Sequence, residues 1–278
     1  MTQSWGPRPP VPADGAERRP ALDIPAPGPQ RRWTVLLRWL LLIPQYIVLF
    51  LLGIAAFFVT VAGWFAALFL GRLPDPIASF LGTYLAYETR ISASSMLLVD
   101  RYPPFALTAP DYPVQIELRP TTLNRLAVLF RLILMIPAAI ISNLAATGWF
   151  AISWIFWIIG IVLGRLPGPV FGATAAVARY RLRFGAYVSM LTPTYPKGLL
   201  GDQPAAKAET AGEAGDAGEI RSATRPLLLD STAKLLVWVF LVLGLVTQVL
   251  YRSSTDYGGY DDSGLAHQSQ VVHLAGRS

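Results

Sequence analysis

Two stretches of 33 residues, 39–71 and 132–164, contain no charged side chain, and an arginine flanks each of their four ends. Arg38 and Arg72 bracket the first run, Arg131 and Arg165 the second, and both pairs of brackets differ by 93 positions. An ionised side chain at the centre of a bilayer costs about 2.5–3.5 kcal/mol on insertion scales, so a run this long without one is a membrane signature. The constant offset adds a second constraint: the membrane unit is used twice.

Composition agrees. Charged residues are 14% of the 278 and hydrophobic residues 53%, with a mean hydropathy of +0.45; soluble domains carry about 25% charged residues. The net charge is +6. Without zinc-finger spacing or an RNA-binding signature this charge does not point to nucleic acid; on a membrane protein it is a matter of topology. The absence of cysteine excludes disulfides, iron–sulfur clusters and thiolate-bound zinc. Residues 1–30 hold eight prolines and no 7–15-residue apolar segment, so a polar disordered tail is expected rather than a cleaved signal peptide.

Laid over each other without gaps, the copies match at Arg32 and Arg125, Leu36 and Leu129, Ile43-Pro44 and Ile136-Pro137, and Trp64 and Trp157. Gly71-Arg72-Leu73-Pro74 falls on Gly164-Arg165-Leu166-Pro167, Tyr87 on Tyr180, Arg90 on Arg183, and Tyr102-Pro103 on Tyr195-Pro196. This order, R-x5-I-P, a long apolar run, G-R-L-P, an amphipathic segment and Y-P, resembles the bacterial membrane domain DUF4389, present here as two tandem copies over residues 31–105 and 112–200. Tyr112-Pro113-Val114 resembles the start of that domain; copy one has no clear counterpart. The family has no established activity. The resemblance therefore implies a bacterial membrane protein and supplies no catalytic residues.

A 33-residue helix is about 50 Å long, against a hydrocarbon core of about 30 Å. Each run is long for one crossing and just sufficient for two short ones. Pro44 and Pro137 stand within the runs, Gly53 lies mid-run in copy one, and Ser142, Asn143, Thr147 and Gly148 interrupt copy two. Lysine and arginine number 6 in residues 1–38, 6 in 72–131, 9 in 165–234 and 2 in 252–278. Single crossings would put the 72–131 segment opposite its neighbours, against the positive-inside tendency. The expected fold is thus an all-α integral membrane protein of duplicated helical-hairpin or re-entrant units with interfacial amphipathic helices. One C-terminal transmembrane helix at 229–252 follows a flexible linker at 201–228, and a disordered tail at 253–278 ends the chain. That layout gives a multi-pass cell-membrane protein with three or five crossings, its N-terminus cytoplasmic and its C-terminus outside.

After each G-R-L-P an amphipathic segment follows, basic in copy two through Arg179, Arg181 and Arg183. Such a helix is expected along the headgroups. Arg38, Arg72, Arg131, Arg165, Arg179, Arg181 and Arg183 are accordingly the candidate interface residues, contacting anionic lipid or merely obeying the topological bias. Residues 105–107 and 114–118 flank a turn and read as a small hairpin. Mid-run tryptophans are expected to pack rather than to stack on a ligand.

No G-x-S-x-G, P-loop or dinucleotide fingerprint is present, and the two runs hold no carboxylate for a proton relay. His267 and His273 lie in the C-terminal tail and form no convincing metal site. The expectation is a non-enzymatic scaffold or accessory subunit without cofactor or metal, whose partners are the bilayer, anionic headgroups and other membrane proteins. The alternative is a transporter, channel or lipid-handling protein with Ser142, Asn143, Thr147 and Ser153 lining a polar path.

Overall fold

The computed structural model describes residues 20–118, 125–201 and 227–275. Five helices and a two-stranded ribbon make up the regular structure: β1 (Ala21–Asp23), α1 (Arg32–Leu70), α2 (Asp75–Ser95), β2 (Gln115–Glu117), α3 (Arg125–Leu163), α4 (Gly168–Val188) and α5 (Ser231–Ala275). Helices α1, α3 and α5 are long and apolar enough to cross a membrane.

Each charge-free run is one continuous helix of 39 residues. The turn expected inside each run is not there. Pro44 and Pro137 are both accommodated within the helix, and the mid-run small residues serve helix contact instead. A Cβ on Gly148 would overlap the carbonyl of Phe240 in α5, and one on Gly244 would overlap that of Leu144 in α3. Small residues let the two backbones touch, the standard device for close helix packing in membranes.

The chain reverses at G-R-L-P. Gly71 and Gly164 take left-handed φ values of 72° and 65°, and each donates its N–H to the carbonyl four residues back, closing the helix. Leu73 and Leu166 are buried as anchors, and Pro76 and Pro169 sit in the first turn of the next helix, where a missing N–H costs nothing. Helix α2 then runs back along α1: Gly63 faces Ile77, Gly53 faces Tyr84, and Arg38 reaches Ser94. Helix α4 returns along α3 in the same way, Arg131 reaching Tyr187.

The two copies pack antiparallel. Arg32 Nη2 donates to Val162 O (3.3 Å), Gln30 N to Gly164 O (2.7 Å), Trp39 lies against Trp157 (5.9 Å between rings), and Trp64 Nε1 donates to Val128 O (3.2 Å). A pseudo-twofold axis, perpendicular to α1 and α3 near their midpoints, relates the halves. Helix α5 packs across α3 and α4, running antiparallel to α3, as Phe240 against Gly148 and Gly244 against Leu144 require.

Other expectations change. Helices α2 and α4 are not free amphipathic helices but pack into the bundle: Leu81, Leu85, Tyr87 and Ile91 of α2 are buried, and nearly all of α4 is covered, because its alanines let α3 and α5 close on it. Residues 105–107 form no strand, since Arg90 takes the carbonyls of Ala106 and Leu107. Strand β2 pairs instead with β1, antiparallel, Leu22 opposite Ile116. Residues 20–30 are therefore not the disordered tail that was expected, since Leu22 and Ile24 are fully buried; the rest of that expected tail, 1–19, lies outside the described residues. Helix α5 continues past 252 to Ala275; no proline stops it, and a helix nucleated in an apolar segment propagates at little cost per residue. The expected flexible linker falls mainly on 202–226, outside the described residues.

Candidate functional site

The candidate residues are the arginines of the repeat. They do not form one surface. Arg38 and Arg131 stand two turns inside α1 and α3, each only 3% exposed. Arg38 Nη1 donates to Ser94 O (2.9 Å) and Val99 O (2.6 Å), and Nη2 to Asp100 Oδ1 (2.8 Å). Arg131 Nη1 donates to Tyr187 O (2.9 Å) and Nη2 to Thr192 O (2.9 Å), with the guanidinium 4.3 Å from the centre of the Tyr187 ring. Acceptors 94 and 187, like 99 and 192, differ by 93, so the bracket arginine does the same work twice.

That work is helix capping. The last carbonyls of a helix lack intrahelical partners, and α2 and α4 end in matching turns. Leu97 and Met190 have φ of 60° and 57°, and the following residues donate back to Ala93 O and Ala186 O. This is a Schellman arrangement with a non-glycine residue in the left-handed position. Burial of Leu97 and Met190 and the arginine bonds hold a backbone that glycine would adopt freely. The copies balance the buried charge differently. Asp100 serves Arg38, whereas position 193 is Pro193 and Arg131 relies on the ring of Tyr187.

Arg90 and Arg183 are also buried and bind backbone. Arg90 holds Ala106 O and Leu107 O, and Arg183 donates to Lys197 O (2.8 Å) and Pro20 O (3.5 Å). The latter bond ties the N-terminal strand to α4. Arg179 is 3% exposed. Arg72 and Arg165 are exposed, beside the G-R-L-P turns, and Arg181 is half-exposed. Four of the seven candidates are therefore interior, and Arg72, Arg165 and Arg181 are the ones that face outward.

Glu88 is the partner of Arg181, at 3.6 Å. The two differ by 93 positions and face each other where α2 crosses α4. Burial pushes the Glu88 carboxyl above its ordinary range, against the opposing pull of Arg181. Burial likewise pushes the Tyr84 hydroxyl, beside Glu88, up to about 12. The neighbouring Gln45 is buried, accepting from Tyr87 and donating to Pro103 O (2.7 Å). Its counterpart is Ala138, and the Tyr180 hydroxyl is left with no hydrogen-bond partner among the described residues.

Of the four polar residues of the second run, Ser142 and Ser153 are buried, Thr147 is half-buried and Asn143 is exposed, and Ser153 Oγ donates to Phe150 O within its own helix (2.7 Å). Trp149 Nε1 donates to Thr174 Oγ1 (3.1 Å), a packing role as expected. Among the described residues no cluster of histidine and carboxylate that could hold a metal is present, and the side chains of His267 and His273 lie outside them.

Glu88, Asp100 and Gln45 were missed as structural partners. Glu88 had a signal in the sequence, being the position that aligns with Arg181. Comparison with known protein families matches the chain to a domain of unknown function, DUF4389, over residues 32–106 and again over 125–199. No curated protein and no solved structure matches the chain.

Proposed function

The chain belongs to the DUF4389 family, of which it carries two tandem domains, and on that premise we propose that it is a non-enzymatic membrane module, a scaffold or accessory subunit. One observation carries this reading. Buried Arg38, Arg90, Arg131 and Arg183 are occupied in holding the chain's own backbone, while the exposed surface of α1, α3 and the 235–250 segment of α5 is largely apolar, with Asn143 as a polar exception. Such a face serves lipid and other membrane helices, and the interior arginines stiffen the platform behind it. Arg72 and Arg165, free of the interior, supply cationic contacts for anionic headgroups at about 1 kcal/mol each near a charged leaflet.

The cationic segments 1–38, 72–131 and 165–234 are read as cytoplasmic, following the positive-inside tendency. Affinity purification from native membranes in mild detergent tests the proposal. Stoichiometric recovery of another membrane protein is the expected result. A lone monomer recovered from native membranes, together with solute flux or lipid scrambling in liposomes, would replace this reading with the transporter alternative.

A further inference from the structure

We infer that the protein is seated in one leaflet, with α1 and α3 lying in the plane of the membrane instead of crossing it. The inference rests on the membrane reading above, in taking lipid as the solvent of the apolar face.

Length is the first argument. A helix of 39 residues is about 58 Å long, nearly twice the hydrocarbon core of about 30 Å. The exposed apolar stripe of α1 runs its whole length, from Trp33 and Leu36 through Phe50 and Phe58 to Phe69. An upright α1 would hold both ends of that stripe in water.

Sidedness is the second. The helices form two layers, α1, α3 and α5 in one, α2 and α4 in the other, with residues 96–118 laid over α2. The first layer exposes apolar side chains. The second exposes Ser79, Arg101, Asp111 and Gln115, with Tyr102, Phe105 and Leu107 as its exposed apolar residues in the 96–118 segment. Glu88 and Arg181 retain 29% and 41% side-chain exposure in that second layer, beside the pseudo-twofold axis. If α1 and α3 stood upright, that pair would lie at mid-bilayer, where charge is least tolerated. Laid flat, the same layer faces water and the apolar layer faces acyl chains, the arrangement of a monotopic protein.

Charge is the third. Arg72 and Arg165 follow the C-terminal ends of two antiparallel helices. Upright helices would place them on opposite faces of the membrane. Flat helices keep all three cationic segments on one side without a turn inside either run, which reconciles the arginine distribution with continuous helices.

The chain has no cysteine, so single-cysteine variants can be read directly. Arg72→Cys and Arg165→Cys, expressed separately, are treated in spheroplasts with a membrane-impermeant maleimide before and after permeabilisation. Depth is then measured for the exposed positions Leu36→Cys, Leu51→Cys and Phe65→Cys, each carrying an environment-sensitive dye. The protein is reconstituted for this in phosphatidylethanolamine–phosphatidylglycerol vesicles containing depth-graded quenchers. The expected result is that both arginine positions become reactive together on permeabilisation, and that all three dyes sit about 5–10 Å below the headgroups of one leaflet. Labelling from opposite sides would overturn the inference, as would a Leu51 dye at the bilayer centre with Leu36 at the headgroups. Recovery of the full chain as a soluble assembly in vesicle flotation would overturn it too, since the apolar face would then cover another copy. These readouts are independent of any protein partner, so their failure and that of the scaffold proposal are separately visible. Ser79→Cys, on the opposite layer, serves as a second aqueous marker should either arginine variant fail to accumulate.

Discussion

Glu88 and Arg181 occupy the same position in the two copies and meet each other 3.6 Å apart where α2 crosses α4. In a symmetric pair of identical units a residue beside the twofold axis faces its own duplicate, and two like charges there would repel. Within one chain the copies have become opposite at this position. The antiparallel packing of the halves is thereby written into a charge pair as well as into the apolar contacts.

Reversing one member of this pair tests the relationship. Glu88→Arg places two guanidiniums together and is expected to lower stability by about 0.2–1 kcal/mol, the range for a solvent-exposed pair. The double variant Glu88→Arg with Arg181→Glu is expected to regain most of it. A double-mutant cycle on thermal unfolding in detergent, with a coupling term indistinguishable from zero, would show the pair to be incidental.

The pH dependence has a defined sign. Burial raises the folded-state carboxyl of Glu88 above its ordinary 4.5, so the folded chain binds this proton more tightly than the unfolded one. The stabilisation is full below about pH 4.5 and is lost as pH rises through the higher folded value. Glu88→Gln removes this contribution. Its unfolding midpoint relative to the parent chain is expected to be more favourable at pH 7.5 than at pH 4.5, and an unchanged difference would contradict the assignment.

Arg38 and Arg131 are expected to be the most sensitive single positions. Removing a buried charged partner costs about 3–5 kcal/mol, and Arg38→Ala would also take the ion pair from Asp100, leaving it Thr34 alone, and the arginine bond from the Val99 carbonyl. Lysine should rescue poorly, because one ammonium cannot span acceptors that the planar fork reaches together. Unfolding midpoints of the alanine and lysine variants at both sites check this.

Tyr87 and Tyr180 should behave differently despite their matching positions. Tyr87→Phe leaves Gln45 short of a donor and is expected to cost about 1–3 kcal/mol. Tyr180→Phe removes a hydroxyl with no partner among the described residues and should be neutral or slightly stabilising. Equal effects in the two variants would contradict the copy difference.

Gly148 and Gly244 are the contact between α3 and α5. Even alanine at either position collides with backbone, so Gly148→Ala is expected to cost at least about 1–3 kcal/mol by overpacking. Increased protease sensitivity of α5 in the variant, with α1–α4 retained, is the corresponding measurement. The same substitution at Gly168, where an added Cβ meets nothing within 4 Å, is the control.

Much of this was legible in the residues. The duplication, the apolar runs and the packing role of Trp149 follow from spacing and local chemistry, whereas the reversal expected inside each run lies at G-R-L-P. The lead-in strand of copy one, for which no clear counterpart was expected, does have a signal, since Pro20 stands 93 before Pro113 and Leu22 and Ile24 alternate after it. Less legible were the turns at Leu97 and Met190: a glycine marks such a position in sequence, and neither residue is glycine.

By itself the sequence determined that the chain is built from two apolar units of one family, because charge cannot be hidden in lipid and a constant offset of 93 cannot be produced by composition. Only the tertiary structure decided that each run is a single helix. Gly53 faces Tyr84 of α2 and Gly148 faces Phe240 of α5, so these glycines serve helix contact, while the exposed Pro44 and Pro137 are carried within the helices. It also decided that the bracketing arginines differ in kind. Arg72 and Arg165 follow a helix end and stay outside. Arg38 and Arg131 stand opposite the C-termini of α2 and α4, where unpaired carbonyls draw them inward, and no spacing along the chain reveals which carbonyls will be there.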